Sequence, residues 1–299
     1  MSVSMISRAL FALALAALSL SRSSRAEYVD EVLEFQQAAA AATAGSRQGL
    51  DKIHRKHAYQ VMYGLFLMPL IRERRAAGAP VRMLEIGLGC IKGAGAQPTT
   101  LKKSVHVWAS LLDGPGDHVA VAEYKSECAR DWQARGIIPR AVQLVTGDQA
   151  NADDVRRWAR ETGGRFDAVV DDGGHAPSMI LASFDELWPH VNPGGLYFVE
   201  DLEVNRRSQE RLARLAMQGD RAAHAKAARD PALLANGTVF IDVIDDWIDQ
   251  LLAPGGEMKR RVVHRIPDGV RWIMCQNHAC VIAKCKEDDV AHCSGRFGR

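Results

Sequence analysis

The sequence predicts an α/β fold: a mostly parallel sheet with helices on both faces and an antiparallel C-terminal end. Three observations lead there. Short β-branched apolar runs recur along the chain and are separated by helix-length amphipathic stretches, the pattern of right-handed βαβ units. The runs are apolar throughout instead of alternating, as strands covered on both faces are. Several of them end in acidic residues, at the strand tips where open α/β sheets place their chemistry.

The elements follow in order. Residues 27–78 read as helical, and Tyr59, Met62, Tyr63, Phe66 and Leu70 recur at three- and four-residue steps on one core-facing side. Gly78-Ala-Pro80 ends that region. The predicted strands are 81–86, 118–123, 141–146, 166–171 and 196–200, with helices near 100–112, 126–135, 151–162 and 178–190. Pro193-Gly-Gly195 is read as the turn into the fifth strand, and Asn151 as a helix cap. Residues 202–236 form a polar, helical insertion before an amphipathic helix near 239–252. Arg261–Ile266 and Val270–Lys284 close the chain as a hairpin around Pro267-Asp-Gly269.

A chain of 299 residues, 47% apolar, can bury a full core. Its formal charge is +2, with Lys and Arg dispersed, which argues against nucleic acid as a partner. At the N-terminus, Arg8 precedes the apolar run Ala9–Leu20, then a Ser/Arg stretch ending at Ala26. The run is shorter than a stable membrane span, and residues 1–26 read as a secretory signal peptide, with organelle targeting as the alternative. The expected organisation is therefore this segment, a helical region at 27–78, an α/β domain at 79–286 and a polar tail at 287–299. Of the six cysteines, Cys275, Cys280, Cys285 and Cys293 cluster near the end without paired metal-site spacing. One or two disulfides there are expected, and strand parity sets Cys280 on the face opposite Cys275 and Cys285.

The chemistry concentrates in two stretches. Phe166-Asp-Ala-Val-Val-Asp-Asp-Gly-Gly-His175 and Gly195-Leu-Tyr-Phe-Val-Glu-Asp201 each end a strand in acids. If the strands are neighbours, ~4.8 Å apart, then Asp171, Asp172, His175, Glu200 and Asp201 converge. Crowded carboxylates call for a cation or a shared proton, and an oxygen-rich set suits Mg²⁺, Ca²⁺ or Mn²⁺ better than zinc. Helix capping by these acids is the competing explanation. A second constellation is Leu84-Glu-Ile-Gly-Leu-Gly89, with Glu123 ending the second strand and Asp148-Gln149 after the third. A glycine turn beside acids that can accept ribose hydroxyls and an adenine amino group describes a nucleoside pocket.

These motifs resemble the class I S-adenosylmethionine-dependent methyltransferases. Gly147-Asp-Gln149, Asp171-Asp-Gly-Gly-His175 and Trp188-Pro-His-Val-Asn-Pro-Gly-Gly-Leu-Tyr-Phe-Val-Glu-Asp201 resemble more narrowly the mycinamicin-type, metal-dependent O-methyltransferases acting on macrolide sugars, and the relatives labelled cephalosporin hydroxylase. The resemblance spans roughly residues 51–285. It implies a Rossmann-like, seven-stranded class I methyltransferase fold and Mg-dependent methylation of a hydroxyl on a sugar or small natural product. It further implies Asp172, Glu200 and Asp201 as ligands of Mg²⁺, and His175 as general base. S-adenosylmethionine would meet Glu85, Gly87, Gly89, Glu123, Asp148, Gln149 and Asp171. Gly174 departs from the family's serine, and residues 90–98 insert a longer loop. A nicotinamide-dependent oxidoreductase and a non-catalytic binding module remain alternatives, and a homo-oligomer is left open.

Overall fold

The computed structural model describes residues 30–44, 51–53, 57–90, 103–219, 221–222, 225, 238–253, 263–288 and 293. The segment expected to act in targeting, residues 91–102 where a longer loop was expected, and most of the expected insertion beyond residue 222 lie outside them. The strands are β1 Arg82–Ile86, β2 His118–Glu123, β3 Val142–Thr146, β4 Phe166–Asp171, β5 Val191–Val199, β6 Val270–Gln276 and β7 Ala279–Lys284. The sheet runs β3-β2-β1-β4-β5-β7-β6. The first five strands pair in parallel, and β7 pairs antiparallel with both β5 and β6. This is the mostly parallel seven-stranded sheet the sequence implies.

The helices are α1 at residues 30–42, α2 at 60–76, α3 Ser104–Leu111, α4 Ser126–Ala134, α5 Ala152–Glu161, α6 Pro177–Leu187, α7 Glu203–Met217 and α8 Phe240–Leu252. Strand parity divides the core in two. Met83, Val121, Val170, Phe198 and Val281 pack with α1, α2, α3 and α4, whereas Leu84, Ala122, Val169, Tyr197 and Ile282 pack with α5, α6 and α8. The N-terminal helices join the first layer through aromatic contacts. Tyr63 lies 5.2 Å from Phe35, 5.1 Å from Trp108 and 4.9 Å from Phe198. Within α2 the backbone widens to a π turn over Tyr63–Leu67, just before Pro69. Proline there cannot donate to the preceding turn, and a wider turn relieves its ring.

Three sequence expectations are corrected. β5 begins at Val191, so Pro193-Gly-Gly195 lies within the strand. The β4–β5 pairing steps from Phe166↔Val191 to Ala168↔Leu196, and the surplus residues form a bulge. The hairpin turns at Asn277-His278, with Cys275 opposite Cys280, and not at Pro267-Asp-Gly269. His278 takes a left-handed φ of 67° there. The cysteine parity argument fails for the same reason, since it ran straight through a turn. All six cysteines pair, as Cys90–Cys128, Cys275–Cys280 and Cys285–Cys293. No helix among the described residues is long and apolar enough to cross a membrane.

Candidate active site

The strand order reverses between β1 and β4, and a crevice opens at such a switch point beyond the strand tips. Register fixes what meets there. Ile86 pairs with Asp171, and Asp171 with Val199, so Gly87, Asp172 and Glu200 emerge side by side. The chain is tight at this point. A side chain on Gly87, whose φ is 98°, would come 2.2 Å from the Asp172 carbonyl oxygen. Glycine is required because backbone meets backbone.

A cavity of about 460 Å³ lies over the tips of β1, β2 and β3, with Gly87, Gly89, Glu123, Asp148, Gln149, Asp172 and His175 among its lining residues. That size falls within the usual range of small-ligand pockets, ~300–1,000 Å³. Glu123 is buried, and its Oε2 accepts from the backbone N–H of Leu88 at 3.0 Å and of Cys90 at 3.3 Å. It thereby shapes the glycine turn as well as facing the cavity. Asp148 Oδ1 accepts from Ala150 N–H at 2.9 Å. Gln149 donates to both oxygens of Asp171 at 2.8 Å, and its own Oε1 accepts from Gly174 N–H at 2.9 Å. Asp171, expected to face the cofactor, is instead buried against Gln149, Ser183 and Tyr197 and does not line the cavity. Burial pushes its carboxyl up from its ordinary value, against the lowering effect of the Ser183 and Gln149 hydrogen bonds. Its place in the structure is to tie β4 to α6. A side chain on Gly174 would meet only the flexible end of Met179, at 2.5 Å from its Sδ, so the structure gives no explanation for glycine in place of the family's serine.

The acids divide into two groups. One oxygen each of Asp172 and Asp201 and a ring nitrogen of His175 lie within 4.8 Å of one another. His175 Nε2 is 3.7 Å from Asp201 Oδ2 and 4.0 Å from Asp172 Oδ1. Both His175 and Asp201 hold left-handed backbone, at φ 57° and 56°, which non-glycine residues rarely adopt outside constrained sites. Glu200 and Glu85 belong to a second, deeper group. Lys52, fully buried, places its Nζ 2.7 Å from Glu200 Oε2, 3.0 Å from Asp172 Oδ2 and 3.5 Å from Glu85 Oε1. Burial alone favours the neutral amine, but Asp172 and Glu200 outweigh it and hold Lys52 well above its ordinary pKa. The Tyr63 hydroxyl donates to Glu200 Oε1. Burial and the facing Glu200 carboxylate raise that phenol well above its ordinary value. Glu200, expected to hold an ion with Asp172 and Asp201, accepts from Lys52 at Oε2 and from Tyr63 at Oε1. Glu85, expected beside the cofactor, likewise faces Lys52 and does not line the cavity. On the outer side, Tyr59 donates to Asp201 Oδ1 at 2.8 Å, and His57 Nδ1 lies 3.0 Å from the Tyr59 oxygen.

Sequence reasoning missed Lys52 and took Tyr59 and Tyr63 as core residues only. Lys52 sits in a polar stretch, Asp51-Lys-Ile-His-Arg-Lys-His57, where nothing separates it from Lys56. The tyrosines carried a weak signal, because a buried phenol usually finds a hydrogen-bond partner.

No family model matches the chain. Among curated proteins, it is 34% identical over 122 residues to mycinamicin VI 2''-O-methyltransferase of Micromonospora griseorubida, covering 41% of this chain and 27% of the relative. It is 31% identical over 164 residues to 8-demethyl-8-(2-methoxy-alpha-L-rhamnosyl)-tetracenomycin-C 3'-O-methyltransferase of Streptomyces olivaceus, covering 53% of this chain and 38% of the relative. The chain thus spans well under half the length of these relatives. Among solved structures it superposes on MycE methyltransferase from the mycinamycin biosynthetic pathway, in complex with Mg and SAH, with a TM-score of 0.51 and 23% identity. That match covers 85% of this chain and 55% of MycE. The chain has the class I methyltransferase fold and is similar in sequence to the mycinamicin and tetracenomycin O-methyltransferases named above.

Proposed function

We propose that this chain is an S-adenosylmethionine-dependent, metal-dependent O-methyltransferase acting on a hydroxyl of a sugar or small natural product. The observation that carries this reading is one continuous crevice. The cavity bounded by Gly87, Glu123 and Asp148 reaches Asp172 and His175, which stand within 4.8 Å of Asp201. The relatives' activities and the Mg and SAH of the MycE complex support it.

The residues fit both groups. Acids and a glycine turn around a half-open cavity suit a ribose and an adenine. Carboxylate oxygens from Asp172 and Asp201 suit a hard dication, with Glu200 and Lys52 behind them. When bound, the two groups would supply a sulfonium methyl and a Lewis acid for the acceptor oxygen. The chain's own residues do the rest. Glu123 fixes the glycine turn against the cofactor's ribose end. Asp148 is placed for the adenine end. Gln149 keeps Asp171 and Gly174 in place, and so holds the loop carrying His175. His175 Nε2 takes the hydroxyl proton, a step typically worth about 10²–10⁴-fold, and the neighbouring Asp172 and Asp201 carboxylates stabilise the imidazolium that results.

The experiment is calorimetric titration with S-adenosylhomocysteine and with NAD, followed by transfer of a labelled methyl group to a panel of glycosylated acceptors. Micromolar binding of the first and none of the second is expected. Binding of NAD alone would end this reading.

The oxidising, secretory location expected from residues 1–26 is also proposed here. Three disulfides support it, because such bonds are rare where glutathione keeps thiols reduced. Protein exported from eukaryotic cells should give no free thiol until denatured and reduced; a retained, fully reduced chain would contradict it.

A further inference from the structure

Three buried carboxylates at neighbouring strand tips surround one fully buried ammonium. Glu85 lies on β1, Asp172 follows β4 and Glu200 follows β5, and each is at most 2% exposed. Carboxylates gathered without a counter-charge repel one another and take up protons. Burying an ammonium is itself costly unless opposite charges compensate it, so an ammonium at 0% exposure needs a reason. Lys52 Nζ reaches all three acids within 3.5 Å and lies 6.0 Å from the centre of the Trp108 ring.

We propose that Lys52 is a resident cation that assembles this carboxylate cluster before any divalent ion arrives, and that it partitions the acids. Glu85 and Glu200 are committed to the protein, while Asp172 is shared. Its Oδ2 faces Lys52 at 3.0 Å, and its Oδ1 is turned toward His175. The outer pair, Asp172 Oδ1 and Asp201 Oδ2, is then the side of the cluster that would meet a dication, next to His175. Lys52 is thus a positioning residue: it acts through Asp172 and touches neither acceptor nor cofactor. A fixed positive charge beside a dication site weakens the ion's binding, but it lets the site fold without the ion. The ion's place rests on the function proposed above; the folding consequence does not.

The test measures melting temperature in EDTA and in excess Mg²⁺ for the wild type, Lys52→Met, Glu200→Gln and the double variant Lys52→Met/Glu200→Gln. Wild type should stay folded in EDTA and gain less in Mg²⁺ than Lys52→Met does. Lys52→Met should melt lower in EDTA and recover in Mg²⁺, and titration should show it binding Mg²⁺ at least about tenfold more tightly. The double variant in EDTA should melt above Lys52→Met, because the cluster then carries one negative charge fewer. Equal melting of wild type and Lys52→Met in EDTA would overturn the proposal. If Lys52→Met does not fold at all, a double variant that also fails would overturn it. Absence of methyl transfer with the melting pattern intact would refute the proposed function and leave this inference standing.

Discussion

His175 and Asp201 face each other from two left-handed backbone positions, φ 57° and 56°, and any substitution there must respect that geometry. Asparagine tolerates it better than alanine. His175→Asn should therefore keep the fold and the affinity for S-adenosylhomocysteine while lowering kcat by about 10²–10⁴-fold. Steady-state kinetics with parallel calorimetry decide it, and an equal loss of cofactor binding would remove His175 from the base role. Three tyrosines give a pH prediction. Tyr59, Tyr63 and Tyr197 all have phenol pKa values raised by burial first and facing carboxylates second. Below the unfolded value of 10.0 these phenols are neutral in both states. Above it, only the unfolded chain ionises them, so stability falls as pH rises. Absorbance at the phenolate band should show three tyrosines silent above that pH until the metal-free protein unfolds. Early titration of all the tyrosines would contradict their burial. At this scale the acids were legible, because strand-end carboxylates are visible in sequence. Their partition was not, since it depends on Lys52, more than thirty residues from any of them.

Elements were legible where periodicity is strong. β2, β4 and α4 fall nearly where the pattern places them, and Asn151 caps α5 by accepting from Asp153 N–H at 2.9 Å. Punctuation was harder. Pro267-Asp-Gly269 is a stronger turn signal than Asn277-His278, yet β6 and β7 pair on either side of Asn277-His278, from Gln276↔Ala279 outward. Likewise, Pro193 and two glycines read as a turn but sit in a bulge. The Cys90–Cys128 bond joins the glycine turn after β1 to α4, and Cys90 lines the cavity. In the chain-entropy account, a closed loop of 38 residues is worth about 3–4 kcal/mol. Cys90→Ser/Cys128→Ser should lose about that much in urea unfolding and bind S-adenosylhomocysteine more weakly. Unchanged binding would mean the turn is held by Glu123 alone.

Across the whole molecule, the site follows from topology. The reversal between β1 and β4 opens the crevice, and parallel pairing of β4 with β5 delivers Asp172, Glu200 and Asp201 together. The N-terminal helices complete it, because α2 supplies Tyr63 and the turn Asp51–Ile53 supplies Lys52. The most direct measurement is a crystal structure grown with Mn²⁺ and S-adenosylhomocysteine, with the metal located by anomalous scattering. The account predicts one manganese held by oxygens of Asp172 and Asp201, with Lys52 still between Glu85 and Glu200 and the nucleoside between Gly87 and Asp148. Manganese bound elsewhere, or a nucleoside lying outside that cavity, would contradict it.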